Sequence, residues 1–556
     1  MSLIQTAQAW HDQDPDEATR AELATLIRAA ETGDAQGTLE LGRRFDARLE
    51  FGTAGLRGEL GAGSNRMNRV LVAQAAAGFA AYLLEQHDGP GAPSVVVGYD
   101  GRQNSEVFAR DTAELMAGAG VRAILLPRLL PTPVLAFAVR HLDVSAGVMV
   151  TASHNPARDN GYKVYLGGLH HGSQIVSPAD ADIAAHIARI AVEENVLELP
   201  RSTEFETADE GVVDEYVRRT AELGRAASAP VKVVYTAMHG VGWEVAQRVF
   251  AAAGFAEPVV VAAQIEPDSA FPTVDFPNPE EPGALDLAFA TATEVGADLV
   301  IANDPDADRL AIAVPDADSG GWRRLSGNDV GSLLGWRAAE RLAQTDTAGT
   351  LASSLVSSPA LAAIADEYRL DYVETLTGFK WISRAGGLAF GYEEALGYLV
   401  DPDKVRDKDG ISAAVDFLSL VSELAENGQT LADHELAFAE RFGAFASSQI
   451  SLRVDDLSDI GRLMARLRDK PPATLGSLRV DHIDDFSGGF GAFPPGDILR
   501  FVLDGGARVI VRPSGTEPKL KVYIDASSTD GTASERRTAA AAVVAELDAA
   551  LRELLA

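Results

Sequence analysis

Short apolar segments alternate with amphipathic stretches along most of the chain. Residues 94–100, 121–127 and 146–150 are compact apolar runs, which are typical of buried strands. Thr132 followed by Pro133 predicts the start of a helix between two of these runs, with Thr132 as the N-cap. Buried strands separated by helices indicate an α/β fold class with a mixed, mostly parallel sheet.

The same alternation restarts further along the chain, with apolar runs at 231–237, 258–263 and 297–303. A third such region covers 325–440, and the tail has shorter strands closed by an alanine-rich helix from about 532. We therefore predict three similar α/β domains and a C-terminal α+β domain, the first of them opening with a polar helical leader. The predicted domains are residues 1–205, 206–322, 323–440 and 441–556.

Composition narrows the class of protein. A chain of 556 residues exceeds what one core supports, in agreement with several domains. With 48 Lys and Arg against 81 Asp and Glu, the net charge of −33 argues against nucleic acid as a partner, and any anionic ligand needs a locally basic site. Since the chain has no cysteine, disulfides, zinc-thiolate sites and thiol nucleophiles are excluded. The N-terminus lacks a signal-peptide pattern and no apolar run reaches about 18 residues, so we expect a cytoplasmic protein without a membrane partner.

The segment DPDADR (304–309) places Asp304, Asp306 and Asp308 at alternate positions directly after an apolar run. In an extended loop these carboxylates share one side and repel one another unless a cation lies between them, and oxygen ligands suit Mg²⁺ or Ca²⁺. An EF-hand loop would need Gly and Glu at the positions of Arg309 and Pro315, so the segment is not an EF-hand calcium loop. A solvated acidic turn is the alternative.

The segment TASHNP (151–156) follows the apolar run at 146–150, so Ser153 lies where ligands contact open α/β sheets. Neither neighbour of Ser153 is Gly, which argues against the nucleophile elbow of a hydrolase. His154 is adjacent in sequence and need not face the same way, so we expect it to be a poor base for Ser153. A simple Asn-Pro turn with capping hydroxyls is the alternative.

The segment RPSGTEP (512–518) lies between two apolar runs and combines a guanidinium with a turn of free backbone N–H groups and hydroxyls. Such a turn can bind phosphate, although a plain hairpin turn has the same composition. GYEEALGY (391–398), GFKW (378–381) and FGTAGLRG (51–58) are weaker signals alone. No P-loop motif is present, and the glycine pattern near 118 precedes a strand, so nucleotide binding is not indicated.

The order FGTAGLRG, TASHNP, DPDADR, GYEEALGY, RPSGTEPK resembles the α-D-phosphohexomutase superfamily from about residue 40 to the end of the chain. The leader, with Trp10 and Phe45, and the TGFKW and EEALGY segments are similar to its phosphoglucomutase-2/phosphopentomutase-like branch. The resemblance implies four domains around a central cleft, three of them α/β and alike. It also implies phosphoryl transfer through a phosphoserine.

The resemblance implies the following roles. The catalytic residues are the phosphoserine Ser153, Lys163 or Lys408 as general acid/base, and the cations Arg57 and Arg309. The Mg²⁺ ligands are Asp304, Asp306 and Asp308 with an oxygen of phosphorylated Ser153. The substrate-binding residues are Glu393, Lys380, Arg512, Ser514, Gly515 and Thr516, the last four as a clamp on the phosphate that is not being transferred.

One position departs from the pattern. Many phosphohexomutases read G-E-x-S in the sugar loop, and the fourth position here is Ala395. The missing hydroxyl argues against strict glucose specificity. The expected activity is a Mg²⁺-dependent phosphoglucomutase activated by a sugar 1,6-bisphosphate, acting as a monomer or dimer on a small sugar phosphate. The alternatives are a phosphomannomutase, a phosphopentomutase, a hexose bisphosphate synthase, and a non-catalytic sugar-phosphate binding protein.

Overall fold

A computed structural model describes residues 2–226, 231–316, 319–454, 457–514 and 519–555. It divides into two compact units, Met1–Leu325 with Gly397–Ser422, and Ser326–Leu396 with Glu423–Ala556. Each unit is described by itself.

The helices are α1 (Leu3–Gln13), α2 (Glu17–Glu31), α3 (Ala35–Phe45), α4 (Arg69–Gln86), α5 (Ser105–Gly118), α6 (Thr132–His141), α7 (Ala179–Glu193), α8 (Gly211–Ala221), α9 (Gly242–Ala252), α10 (Asp286–Val295), α11 (Gly327–Thr345), α12 (Ala360–Tyr368), α13 (Phe379–Ile382), α14 (Gly410–Glu426), α15 (Leu431–Phe442), α16 (Leu457–Asp469) and α17 (Ala533–Leu555), with short 3-10 turns at Gly168–His170, Ala262–Gln264 and Asp504–Gly506. The strands are β1 (Leu56–Glu59), β2 (Ser94–Tyr99), β3 (Arg122–Leu125), β4 (Ala146–Val150), β5 (Asp159–Leu166), β6 (Ser173–Gln174), β7 (Glu206–Thr207), β8 (Val233–Thr236), β9 (Val259–Val260), β10 (Leu299–Asn303), β11 (Leu310–Pro315), β12 (Trp322–Arg324), β13 (Thr350–Ser354), β14 (Asp371–Thr375), β15 (Leu388–Glu393), β16 (Gly397–Leu399), β17 (Ala444–Arg453), β18 (Thr474–Leu475), β19 (Leu478–Asp485), β20 (Leu499–Leu503), β21 (Arg508–Pro513) and β22 (Lys519–Ser528).

The first sheet of the first unit has the order β1-β5-β4-β2-β3-β7, with β6 beside β5. Strand β2 pairs in parallel with β3 and β4, whereas β5 is antiparallel to both β4 and β1. The register aligns Tyr99 with Val150, so the loops that begin at Asp100 and Thr151 leave the same edge of the sheet. Carboxyl ends of parallel strands are where open α/β sheets place ligands.

The second sheet of this unit has the order β12-β11-β10-β8-β9. Strand β10 is parallel to β8 and antiparallel to β11. Residues Asn303 and Leu310 face each other in the β10–β11 pair, so 304–309 is the loop of a tight hairpin. The acidic motif therefore has its geometry fixed by the two buried strands that flank it.

The helical leader packs on the first sheet's outer helices through a cluster that includes Trp10, Leu23 and Leu41, and Trp10 meets Phe45 edge-on at 6.0 Å. Helix α6 begins at Thr132 with Pro131 in the N-cap position, so the prediction that Thr132 caps this helix is wrong. The Thr132 side chain makes a different bond, which belongs to the site below.

In the second unit, β13 pairs in parallel with both β14 and β15. A separate antiparallel sheet has the order β17-β22-β21-β20-β19-β18 and is covered by α16 and α17, whose apolar faces share its core. The predicted four-domain architecture, three α/β domains followed by an α+β domain, is confirmed. The exact boundaries at 205, 322 and 440 stay predictions. Among the described residues, none of the helices has both the length and the apolar character needed to cross a membrane.

Candidate active site

Ser153 lies in the loop that follows β4, with only 3% of its surface exposed. Its backbone has φ of 54°, in the left-handed region that non-glycine residues rarely adopt. The Ser153 amide donates to Thr151 Oγ1 at 2.8 Å, and the hydroxyl donates to Asp304 Oδ2 at 3.1 Å. A strained backbone held by its surroundings is typical of functional loops, and here it aims the hydroxyl at the acidic motif.

His154 faces Ser153, contrary to the expectation from sequence. Its Nδ1 lies 3.2 Å from Ser153 Oγ. Burial, followed by the charges of Arg309 and Arg57, lowers the pKa of His154 well below its ordinary value. The imidazole is therefore neutral at pH 7. Because the single proton of the Ser153 hydroxyl is donated to Asp304, a neutral ring with its proton on Nδ1 can donate to Ser153 Oγ.

The side chains of Asp304, Asp306 and Asp308 converge, as the spacing predicted. All three are fully buried, and one carboxylate oxygen from each lies within 4.8 Å of the others. The loop is closed by the side chain of Asn303, whose Nδ2 donates to Arg309 O at 2.6 Å, and by the backbone N–H of Arg309, which donates to Asp304 Oδ1 at 3.0 Å. Burial and hairpin closure exclude the solvated acidic turn.

The donor set fits a hard divalent cation. The Oδ1 atoms of Asp306 and Asp308 are buried and have no hydrogen-bond partner among the described residues. Burial, followed by the charges of Asp306 and Asp308, raises the pKa of Asp304 well above its ordinary value. Unsatisfied buried carboxylate oxygens that repel one another are the arrangement that a bound Mg²⁺ relieves.

Cations surround the acidic motif. Lys163 Nζ donates to Asp306 Oδ2 at 2.8 Å and to Asp308 Oδ2 at 2.9 Å, and Lys408 Nζ lies 3.4 Å from Asp308 Oδ2. Burial disfavours the Lys163 ammonium, but the two carboxylates outweigh it and raise its pKa above the ordinary value. Burial also disfavours ionised Asp306 and Asp308, yet the Lys163 charge prevails and lowers the pKa of both.

Two arginines complete this basic surrounding. Arg309 Nε lies 4.0 Å from carboxylate oxygens of Asp304 and Asp308. Arg57, on β1, donates to Asn155 Oδ1 at 3.3 Å and so touches the Ser153 loop. An acidic protein thus presents a local cluster of cations beside Ser153, which is what an anionic ligand requires.

Sequence reasoning missed two residues that hold these groups in place. Thr132 Oγ1 donates to Asp306 Oδ2 at 2.6 Å, and its amide donates to Asp306 O at 2.9 Å. Asp407, next to Lys408, accepts hydrogen bonds from Tyr165 Oη at 2.8 Å and Gln174 Nε2 at 2.7 Å. The first links α6 to the acidic loop and the second fixes the backbone that carries Lys408.

The remaining predicted residues belong to the second unit. Glu393 is the last residue of β15 and is half-buried, and the neighbouring Glu394 accepts from Ser354 and Ser357 at 2.9 and 3.1 Å. Lys380 lies in α13, and Arg512 lies on β21 followed by Ser514, whose amide donates to Lys519 O at 2.8 Å. Gly515 and Thr516 lie outside the described residues. The substrate-binding roles given to these residues stay predictions.

Comparison with known proteins agrees with this geometry. Four family models match in order, phosphoglucomutase/phosphomannomutase alpha/beta/alpha domain I over residues 48–194, domain II over 214–320, domain III over 326–441 and the C-terminal domain over 452–542. A Haemophilus influenzae protein named probable phosphomannomutase is 57% identical, over 88% of this chain and 98% of its own length. The Mus musculus phosphopentomutase is 37% identical, over 88% of this chain and 86% of its own length.

A crystal structure of a phosphoglucomutase/phosphomannomutase family protein from Burkholderia thailandensis superposes with a TM-score of 0.68 at 22% identity, covering 91% of this chain and 98% of that one. At that identity the likeness shows the fold alone. The family models and relatives confirm the resemblance carried by the order of the motifs. The chain therefore belongs to the phosphoglucomutase/phosphomannomutase family of phosphohexomutases and is, like its relatives, a phosphotransferase isomerase.

Proposed function

We propose that this mutase is a phosphoglucomutase that interconverts glucose 1-phosphate and glucose 6-phosphate through phosphorylated Ser153 and a bound glucose 1,6-bisphosphate. The observation that carries the proposal is the direction of the Ser153 hydroxyl, whose Oγ lies 3.1 Å from Asp304 Oδ2 in a cluster of buried carboxylates. A serine aimed at a metal-type donor set, with cations around it, suits phosphoryl transfer better than acyl transfer.

In the forward direction the bond between Ser153 Oγ and phosphorus breaks while a bond forms between phosphorus and the 6-hydroxyl oxygen of glucose 1-phosphate. The hydroxyl proton passes to a base, and Ser153 Oγ regains a proton. Lys163 is our first choice for this acid/base work and Lys408 the second: the ammonium gives its proton to Ser153 Oγ, and the neutral amine that remains accepts the proton of the sugar hydroxyl. The bisphosphate then turns over and returns its 1-phosphoryl group to Ser153.

Mg²⁺, held by Asp304, Asp306 and Asp308 with an oxygen of phosphorylated Ser153, would neutralise charge on the transferred group. Arg309 and Arg57 supply fixed positive charge beside the Ser153 loop, which favours the added negative charge of a phosphoserine. These cations also draw a sugar phosphate to a protein whose net charge is −33.

We assign Glu393 as acceptor for the sugar hydroxyls and Lys380 as a neighbouring cation. The clamp on the distant phosphate is assigned to Arg512, Ser514, Gly515 and Thr516. Such a clamp explains how both orientations of the bisphosphate are held, because it grips whichever phosphate is not on the serine side.

Two other sugars are favoured by specific relatives. The Haemophilus influenzae relative, 57% identical, is named a probable phosphomannomutase, and the mouse relative, 37% identical, is named a phosphopentomutase. Ala395, which removes a hydroxyl from the sugar loop, is compatible with a broader range of sugars. Mannose 1-phosphate and ribose 1-phosphate are therefore the second and third candidate substrates.

The test is a side-by-side assay of glucose, mannose and ribose 1-phosphates with Mg²⁺ and a trace of the matching bisphosphate. We expect the highest kcat/KM with glucose 1-phosphate, and equal values for all three would rule out a dedicated phosphoglucomutase. Intact mass before and after phosphatase treatment should show one phosphoryl group on wild type and none on Ser153→Ala. Full activity of Ser153→Ala would overturn the phosphoserine mechanism.

A further inference from the structure

The loop that carries Ser153 is built around a buried guanidinium from another strand. Arg102 follows β2 and is only 4% exposed. Its Nη2 donates to Ser153 O and Asn155 O, both at 2.6 Å. Its Nη1 donates to Pro156 O at 2.9 Å and Asp159 O at 3.1 Å. One side chain therefore satisfies four carbonyls of the segment 153–159.

The guanidinium is itself held on its other sides. Its Nε lies 3.5 Å from Asp100 Oδ2, and Asp100 Oδ1 accepts from Ser105 Oγ at 2.7 Å. The ring of Phe271, from the segment after β9, lies 5.0 Å from Arg102 Cζ. The Asp100 carboxylate, the face of Phe271 and the loop carbonyls together fix the position of the guanidinium. Its planar set of N–H donors can therefore hold the loop in one conformation.

This support is needed because the loop is strained at its central residue. Ser153 holds a φ of 54°, which a serine adopts only when its surroundings impose it. The Arg102 bond to Ser153 O constrains the peptide that follows this torsion, while the Thr151 hydroxyl constrains the amide that precedes it. The direction of Ser153 Oγ toward Asp304 depends on both.

We propose that Arg102 is a positioning residue of the mutase, which fixes the Ser153 loop in the conformation that aims Ser153 Oγ at the acidic cluster. The proposal rests on the proposed function, in which Ser153 carries the phosphoryl group. No hydrogen bond or ion pair joins Arg102 to Asp304, Asp306 or Asp308, so Arg102 acts on Ser153 through the backbone of the loop. Misplacing reacting atoms by about 1 Å costs about 10²-fold in rate, so the predicted loss lies in turnover and not in sugar binding.

The test uses Arg102→Lys, which keeps the charge and removes the fork, against Arg69→Lys as the matched control. Arg69 makes a two-bond ion pair with Asp111, at 2.7 and 2.8 Å, in the same sheet domain and touches no part of the Ser153 loop. The readouts are the single-turnover rate at which glucose 1,6-bisphosphate phosphorylates Ser153, followed by intact mass, and kcat and KM in the full reaction. Melting temperature reports folding.

We expect Arg102→Lys to lower the phosphorylation rate and kcat by about 10²-fold with KM close to wild type, while Arg69→Lys leaves all three unchanged. A folded Arg102→Lys that phosphorylates Ser153 as fast as the control would overturn the proposal. If Arg102→Lys does not fold, Phe271→Leu decides, since it removes the ring behind the guanidinium. Phe271→Leu should slow phosphorylation about two- to tenfold, the loss expected for one weakened hydrogen bond, and an unchanged rate overturns the proposal.

Failure of the proposed function gives a different result. If Ser153→Ala keeps full mutase activity, the phosphoserine assignment falls and the Arg102 role falls with it. If Ser153→Ala is inactive and cannot be phosphorylated while Arg102→Lys matches Arg69→Lys, only the positioning role is wrong.

Discussion

Replacing Lys163 by Met tests whether the buried charges of the site are balanced as the structure indicates. Its ammonium lies 2.8 Å from Asp306 Oδ2 and 2.9 Å from Asp308 Oδ2, and neither carboxylate has any exposed surface. Removing one partner of a buried pair costs about 3–5 kcal/mol, because the other charge is left uncompensated. At roughly 1–2 °C per kcal/mol for a unit as long as Met1–Leu325 with Gly397–Ser422, the transition of the first unit should lie about 5 °C lower in EDTA.

Mg²⁺ should reverse much of this loss. A ligand at 100 times its Kd stabilises the folded state by about 2.7 kcal/mol, and Lys163→Met has lost a cation that competes with the metal. Calorimetry of wild type and variant, each with EDTA and with Mg²⁺, measures both effects, and Lys470→Met removes an exposed lysine as the control. The reasoning is refuted if Lys163→Met melts with wild type in EDTA, or if Mg²⁺ raises the melting temperature of the variant no more than that of wild type.

Three other substitutions have defined outcomes. Thr132→Val removes the hydroxyl that donates to Asp306 and should weaken Mg²⁺ affinity about 10–100-fold, as measured by calorimetric titration. The control Thr112→Val removes a buried hydroxyl within α5 and should leave the Mg²⁺ affinity unchanged. Burial lowers the pKa of His434 from 6.5 to about 4, so the unfolded chain binds the proton first and stability falls as pH drops from about 6.5 to 4. Urea unfolding at pH 7 and pH 4.5 measures this loss of unfolding free energy, which should be about 1–3 kcal/mol smaller in His434→Phe than in wild type. An unchanged pH dependence would contradict the assignment. Ala395→Ser should raise the glucose-to-ribose ratio of kcat/KM about tenfold, and an unchanged ratio would show that this position does not set sugar choice.

The sheets of the first unit could be predicted because their central strands, β2, β4, β8 and β10, are short runs of almost entirely buried residues. Strand β4 was predicted with its observed bounds, and all of its residues are buried. The run at 258–263 was predicted as a strand, yet only Val259–Val260 pair, in parallel with β8 at the edge of its sheet. An edge strand pairs on one side only, so a run of apolar residues there can be longer than the part that forms ladder hydrogen bonds.

Within the site, spacing along the chain revealed the acidic motif because its ligands are local in sequence. The bond from Thr132 to Asp306 joins residues 174 positions apart, and the sequence around Thr132 indicated a helix cap instead. Arg102 had a detectable signal, since it follows an apolar run that pairs in parallel with the strand leading to Ser153. Identifying it required the strand order, which no local pattern contains.

The pairing of β5 on both sides has a consequence for how this enzyme can change during evolution. Met149 faces Lys163 on one side, and Arg57 faces Gly161 on the other. Insertion or loss of one residue at Tyr162 would turn the lysine toward the sheet's opposite face and bring a core side chain into the site. Length variation should therefore be absent from this strand and tolerated in the turn just beyond it, where Leu169 is 94% exposed.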